Sequence, residues 1–115
     1  MKSSIFVRLQ IPGVHRWPEC DINAVQYLKH LHRHVFHIEA HCPVSHDDRD
    51  VEFLFLQKEI RGFLMQTYWH EFMSLMFLDT MSCEQLAIKI LEEFPSLSKV
   101  SVSEDGENGA IVCRE

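Results

Sequence analysis

Residues 31–45 read Leu31-His32-Arg33-His34-Val35-Phe36-His37-Ile38-Glu39-Ala40-His41-Cys42-Pro43-Val44-Ser45, and their alternation decides the fold. Successive side chains of an extended strand point to opposite faces. Leu31, Arg33 and Val35 therefore share one face, and His32, His34, Phe36 and Ile38 share the other. His37 and His41 should face away from the His32–His34 pair unless a bulge intervenes. His30 follows the alternation of the pair, as a supporting hydrogen-bond donor or as an exposed residue. His46, beside Asp47, reads as a surface histidine.

The flanking segments supply the rest of a small α+β layer. Residues 4–11 (SIFVRLQI) are β-branched and aromatic and predict a strand, which Pro12-Gly13 would distort or end. Residues 16–29 have no clean period, and Pro18, Asp21 and Asn23 suggest a loop. Asp47-Asp48-Arg49-Asp50 is a charged turn offering helix N-cap candidates. From Val51 the period changes: Phe53, Leu56, Ile60, Phe63 and Leu64 recur at three and four, predicting a helix that runs past Gly62 to about Tyr68. Residues 69–80 (WHEFMSLMFLDT) read as more helix or as an apolar loop. Ser82-Cys83-Glu84-Gln85 has the form of a capping box, followed by a helix with Leu86, Ala87, Ile90, Leu91 and Phe94 buried and Pro95 as its stop. Residues 98–104 alternate strictly, Asp105–Gly109 is a turn, and Ala110–Cys113 returns as a strand. The expected order is ββααββ: an antiparallel four-stranded sheet with two helices on one face.

At 115 residues the chain fits one domain, residues 1–115, since domains run to about 100–200 residues. A hydrophobic fraction of 46% and a charged fraction of 24% exclude a disordered or low-complexity chain. The formal charge of −6 argues against nucleic acid and acidic membranes, both of which select a basic face. No apolar run approaches the roughly 18 residues of a membrane span, and the N-terminus lacks the apolar core of a signal peptide. Cys20, Cys42, Cys83 and Cys113 form neither a CxxC pair nor a dense disulfide framework. The expected location is the cytoplasm, with reduced thiols. A core this small, in a sheet with two free edges, favours pairing with identical subunits or stabilisation by metal.

Metal is also what the histidines suggest. His32 and His34, two apart on a strand, share one face, so their imidazoles can converge on one ion. His15 lies near the end of the first strand. In an antiparallel hairpin the end of the first strand meets the start of the second, so His15 can join the pair. Three neutral imidazoles with an open position form a common catalytic zinc arrangement, in which the metal acts as a Lewis acid. A solvated His-x-His pair is the competing reading.

The sequence resembles the 6-pyruvoyl-tetrahydropterin synthase family, including the 6-carboxytetrahydropterin synthases of the queuosine pathway. The family's Phe-x-Ala-x-His is matched by Ile11-Pro12-Gly13-Val14-His15, and Leu-His-Gly-His-x-Phe by Leu31-His32-Arg33-His34-Val35-Phe36. The start of the first helix is matched by Glu52-Phe53-Leu54-Phe55-Leu56. The Pro-Thr-x-Glu-x-Leu-Ala start of the second is matched by Met81-Ser82-Cys83-Glu84-Gln85-Leu86-Ala87, and the Glu after Val-x by Val102-Ser103-Glu104. The resemblance implies a tunnelling fold, a homo-oligomer (a hexamer) and zinc on His15, His32 and His34. It implies a lyase acting on a pterin-like small molecule such as dihydroneopterin triphosphate, with Glu104 anchoring the ring's guanidine-like edge and Ser82 and Cys83 among the substrate-binding residues. One carboxylate can accept the two parallel N–H bonds of an amino-pyrimidinone as it does those of arginine.

Two features of the family pattern are missing. The family's catalytic cysteine, a few residues before the His-x-His pair, has no counterpart in that stretch, which leaves Cys20 as the candidate catalytic thiol. Cys20 is the nearest thiol and would reach the site only if its loop folds back. The family's Asp-His segment has Trp69-His70 as its counterpart, so His70, the candidate general base, lacks an orienting carboxylate. The alternative is therefore a divergent zinc- and pterin- or purine-binding protein without the usual catalysis, and a structural metal site in a small oligomer is a third possibility.

Overall fold

A computed structural model describes residues 1–115. The chain runs β1 (Ser3–His15), a 3-10 segment (Asn23–Lys29), β2 (His32–Val44), α1 (Phe53–Tyr68), β3 (Trp69–His70), β4 (Leu75–Asp79), α2 (Cys83–Glu93), β5 (Lys99–Glu104) and β6 (Asn108–Cys113). The strands form one sheet in the order β3-β4-β1-β2-β5-β6. The fold is α+β, but the sheet has six strands rather than four. It is also mixed, because β4 runs parallel to β1 while the other neighbouring pairs are antiparallel.

The extra strands come from residues 69–80, expected as helix or loop. The amide of Ser74, at φ 53°, donates to the carbonyl of His70 at 2.9 Å, closing the turn between β3 and β4. Leu75, Met76 and Leu78 are buried. A short apolar run satisfies helix and strand alike, and here pairing with Gly13 and Val14 of β1 decides between them.

β1 also continues through Pro12-Gly13 to His15. The fixed φ of proline suits extended backbone. Gly13 has a separate reason: a Cβ there would lie 2.9 Å from the Phe36 ring, so the absence of a side chain lets that ring lie against the backbone. The segment 16–29, expected as a loop, contains the 3-10 segment with a kink at Val25.

Glu52 caps α1, its carboxylate accepting from Leu54 and Phe55 at 3.1 Å each. The expected cap in Asp47–Asp50 is absent there. Asp50 instead takes the amide and hydroxyl of Ser45 at 2.7 and 2.8 Å. α1 passes Gly62 unbroken and buries Leu56, Ile60 and Leu64. α2 starts with the expected capping box: Ser82 Oγ accepts from the Gln85 amide at 3.1 Å, and Gln85 Oε1 accepts from the Ser82 amide at 2.9 Å. The helical stripes join Val7, Leu9 and Ile11 of β1, Phe36, Ile38 and Ala40 of β2, and Val100 and Val102 of β5 in one core. Both helices thus cover one sheet face. No helix is long and apolar enough to cross a membrane.

Candidate metal centre

The β1–β2 register places His15 opposite His32 and Gly13 opposite His34. Partners across an antiparallel pair, and residues two apart on one strand, project on the same face. The rings of His15 and His32 are therefore 4.6 Å apart, those of His32 and His34 5.1 Å, and those of His15 and His34 5.5 Å. One ligand nitrogen from each lies within 4.8 Å of the others. Phe36, fully buried, stands edge-on beneath His15 and His34 at 5.2 and 5.8 Å.

Each imidazole is also held from behind. Nδ1 of His15 donates to the Met81 carbonyl at 2.9 Å, and Nδ1 of His32 to the His30 carbonyl at 2.8 Å. Nδ1 of His34 donates to Oδ2 of Asp105 at 2.7 Å. Carbonyl and carboxylate oxygens only accept, so these partners place the proton on Nδ1 and leave the Nε2 lone pair free. Nε2 of His15 and of His34 are shielded from solvent and have no hydrogen-bond partner. Buried polar atoms are rarely left so. Three lone pairs converging inside such a set of Nδ1 acceptors fit a bound metal ion, and neutral imidazole suits zinc.

The electrostatics agree. Burial lowers the pKa of His15 from its ordinary 6.5, favouring the neutral ring a metal requires. Asp105 is held below the usual carboxylate range, first by the Val35 amide and then by His34. Burial, with the charges of Glu104 and Glu84, pushes the Cys83 thiol up to about 12. Cys83 is therefore a protonated thiol at neutral pH, unsuited to act as a nucleophile.

The centre opens into a cleft of about 340 Å³ whose walls include Arg16, Trp17, Ser82, Cys83 and Glu104. Of the residues expected to bind substrate, Glu104, Ser82 and Cys83 thus lie together, although Ser82 Oγ is committed to the helix cap. Cys20 and His70 do not line this cleft. Cys20 is buried, its thiol directed at the carbonyls of Ile22 and Val25 at 3.9 and 3.6 Å. His70 sits exposed on β3, its Nδ1 accepting from the Met73 amide at 3.1 Å. Its pairing with Leu75, four residues before the Asp79 that pairs with His15, sets it about 13 Å away along the strand.

Three contributors were not foreseen: Asp105, the Met81 carbonyl and Arg16. Asp105 opens the turn between β5 and β6, a segment that ordinarily signals only chain reversal. Arg16 is pinned by Asp79, with Nε 2.9 Å from Oδ1. His30 supports the centre through its backbone and not its ring. His41 bonds Glu39 at 2.7 Å and His46 lies 3.5 Å from Asp50, both away from the triad.

No known family profile and no curated protein matches the sequence. Solved structures do match the fold. An uncharacterized protein, WS1659, from Wolinella succinogenes is similar over 100% of this chain and 99% of its own, with a TM-score of 0.74 and 14% identity. The 6-pyruvoyl tetrahydropterin synthase of Caenorhabditis elegans is similar over 100% of this chain and 97% of its own, with a TM-score of 0.68 and 13% identity. The protein has a 6-pyruvoyl-tetrahydropterin-synthase-like fold.

Proposed function

We propose that this chain is a zinc-dependent enzyme of the 6-pyruvoyl- or 6-carboxytetrahydropterin synthase type, a lyase acting on a dihydroneopterin triphosphate-like substrate. The observation that carries this reading is the back-bonded triad: three imidazoles with Nδ1 committed and one ligand nitrogen each within 4.8 Å of the others, two of them, His15 and His32, lining a ligand-sized cleft. His15, His32 and His34 would hold zinc, which when bound would polarise an oxygen of the substrate side chain and acidify neighbouring protons.

The chain's own residues supply the surroundings. Glu104 offers a carboxylate to the amino-pyrimidinone edge of a pterin. Cys83 packs beside it with Sγ 3.9 Å from Oε2, and Ser82 fixes the start of α2 at the cleft wall. Trp17 and Arg16 line the cleft, an aromatic surface for a flat ring and a cation for an anionic tail.

A second reading, a zinc-dependent pterin or purine binder without turnover, is favoured by one observation. Neither Cys20 nor His70 reaches the cleft, so the residues expected to move protons are absent from it. One experiment separates the two readings. Zinc-loaded protein is incubated with dihydroneopterin triphosphate while binding is followed by calorimetry and products by chromatography. Turnover supports the enzyme, binding without turnover supports the binder, and neither result leaves both readings without support.

A further inference from the structure

Glu104 has a neighbour in the cleft that no motif announces. Asn108 opens β6 and pairs directly with Glu104, the last residue of β5. The connection between them is tightly built. Asp105 and Gly106 turn the chain at φ 57° and 72°, and the Glu107 amide donates to the Glu104 carbonyl at 3.0 Å. Gly109 brings the two strands together, since a Cβ there would stand 2.5 Å from Cα of Ser103. Side chains directly opposite in an antiparallel pair share one face, with Cβ atoms about 4.5–5.5 Å apart. Glu104 and Asn108 accordingly line the same cleft as His15 and His32.

The two side chains differ in hydrogen-bonding chemistry. An ionised carboxylate only accepts, whereas a carboxamide also has two N–H groups to donate. An amino-pyrimidinone edge presents two adjacent donors, the amino group and the ring N–H beside it, and these are what Glu104 takes as the ring anchor. The atoms flanking those donors are a carbonyl oxygen on one side and an unprotonated ring nitrogen on the other. Both are acceptors. Whichever way round the ring lies, a side chain next to Glu104 meets an acceptor and has to donate.

We infer that Asn108 is a specificity-determining residue of the cleft: its Nδ2 donates to the acceptor that flanks the two donors held by Glu104. The cross-strand pair then reads three successive atoms of one ring edge, the edge that pterins and guanine share. A ring with an acceptor where the amino group should be sets two acceptors face to face at Glu104. A ring with a donor in the flanking position loses the bond to Nδ2. A site with polar groups left unpaired rejects such rings strongly. This rests on the proposed role of Glu104 as ring anchor, and on no claim about turnover.

The test is calorimetric titration of zinc-loaded, full-length protein with neopterin and, separately, guanosine. The wild type is compared with Asn108→Ala and Asn108→Asp. Asn108→Ala removes the donor and should weaken binding about tenfold. Asn108→Asp keeps the shape but sets an acceptor against an acceptor, and should weaken it further, by about a hundredfold. A merely structural role predicts the reverse order, with the near-isosteric aspartate tolerated and alanine worse. That order, or equal affinity in all three proteins, overturns the assignment of Asn108 and leaves the Glu104 anchor standing. A wild type that binds neither ligand overturns the anchor as well. Binding of neopterin alone identifies a pterin as the source of the edge and binding of guanosine alone a purine, with the same order of variants expected for whichever binds. If Asn108→Asp does not fold, Asn108→Leu decides, being similar in shape and unable to donate. A loss of about tenfold is expected there, and wild-type affinity would overturn the assignment.

Discussion

Asp105 holds His34 from behind: its Oδ2 lies 2.7 Å from Nδ1 of that ring, while Oδ1 accepts the Val35 amide at 2.8 Å. One carboxylate thus ties the turn after β5 to the strand carrying two of the three candidate ligands. Asp105 reaches this position at φ 57°, which aspartate and asparagine tolerate better than most residues. Asp105→Asn should therefore keep the backbone and lose the charge that orients and polarises His34. Removing such a partner typically lowers metal affinity about 10–100-fold. The loss should fall at the lower end, because the amide oxygen still accepts one bond. Competition with a zinc indicator measures it, and wild-type affinity in the variant would show that Asp105 does not support the site.

Gly13 and Phe36 couple the fold to the same centre. A methyl group at Gly13 would stand 2.9 Å from two ring carbons of Phe36 and 3.3 Å from the Met76 carbonyl. The ring cannot retreat freely, since it is fully buried beneath His15 and His34. Gly13→Ala should destabilise the protein by about 1–3 kcal/mol, the usual range for overpacking. It should also weaken metal binding by tilting the two imidazoles. Denaturant unfolding and zinc titration of the same variant check both effects. Wild-type values in both would mean that Phe36 moves aside without strain.

Strict alternation made β2 and β5 legible in the sequence, and the capping box did the same for α2. The triad was legible as a possibility, because in a β1–β2 hairpin the end of the first strand can meet the start of the second; the register that sets His15 opposite His32 comes from the structure. The β3–β4 pair was not legible. Met76 and Phe77 pair with Gly13 and Val14, more than sixty residues away in the chain, and no local period records a parallel pairing. Asp105 escaped notice for a similar reason. Its function depends on His34 and Val35 lying across the sheet, while its neighbours in sequence mark only a turn.

The lowered pKa of His15 gives the metal-free protein a defined pH dependence. The unfolded chain protonates this histidine near its ordinary value of 6.5, whereas burial holds the folded ring neutral to lower pH. Between the folded and unfolded values the unfolded state binds more protons. Stability therefore falls as pH drops through that window, and above it His15 has no effect. Thermal unfolding of chelator-treated wild type and His15→Gln should diverge in slope below about pH 6.5, with the variant flatter. Parallel curves would show that the buried ring does not resist protonation.

The sheet ends bear on assembly. β3 is two residues long, but β6 exposes a full edge over Asn108–Cys113, with Ile111 65% exposed. An unpaired edge carrying an apolar side chain invites another strand, and natural proteins cover such edges or blunt them. No charged side chain or proline interrupts residues 108–113. A second copy of this chain is the partner proposed, since edge pairing between identical subunits also enlarges a small core. Light scattering should therefore give a mass above that of one chain at micromolar concentration. Ile111→Lys, which places a charge on the edge, should shift the population toward monomer without loss of helical and strand signal in circular dichroism. A wild type at monomer mass would overturn the oligomer. An oligomer unaffected by the Ile111 change would place the contact elsewhere than β6.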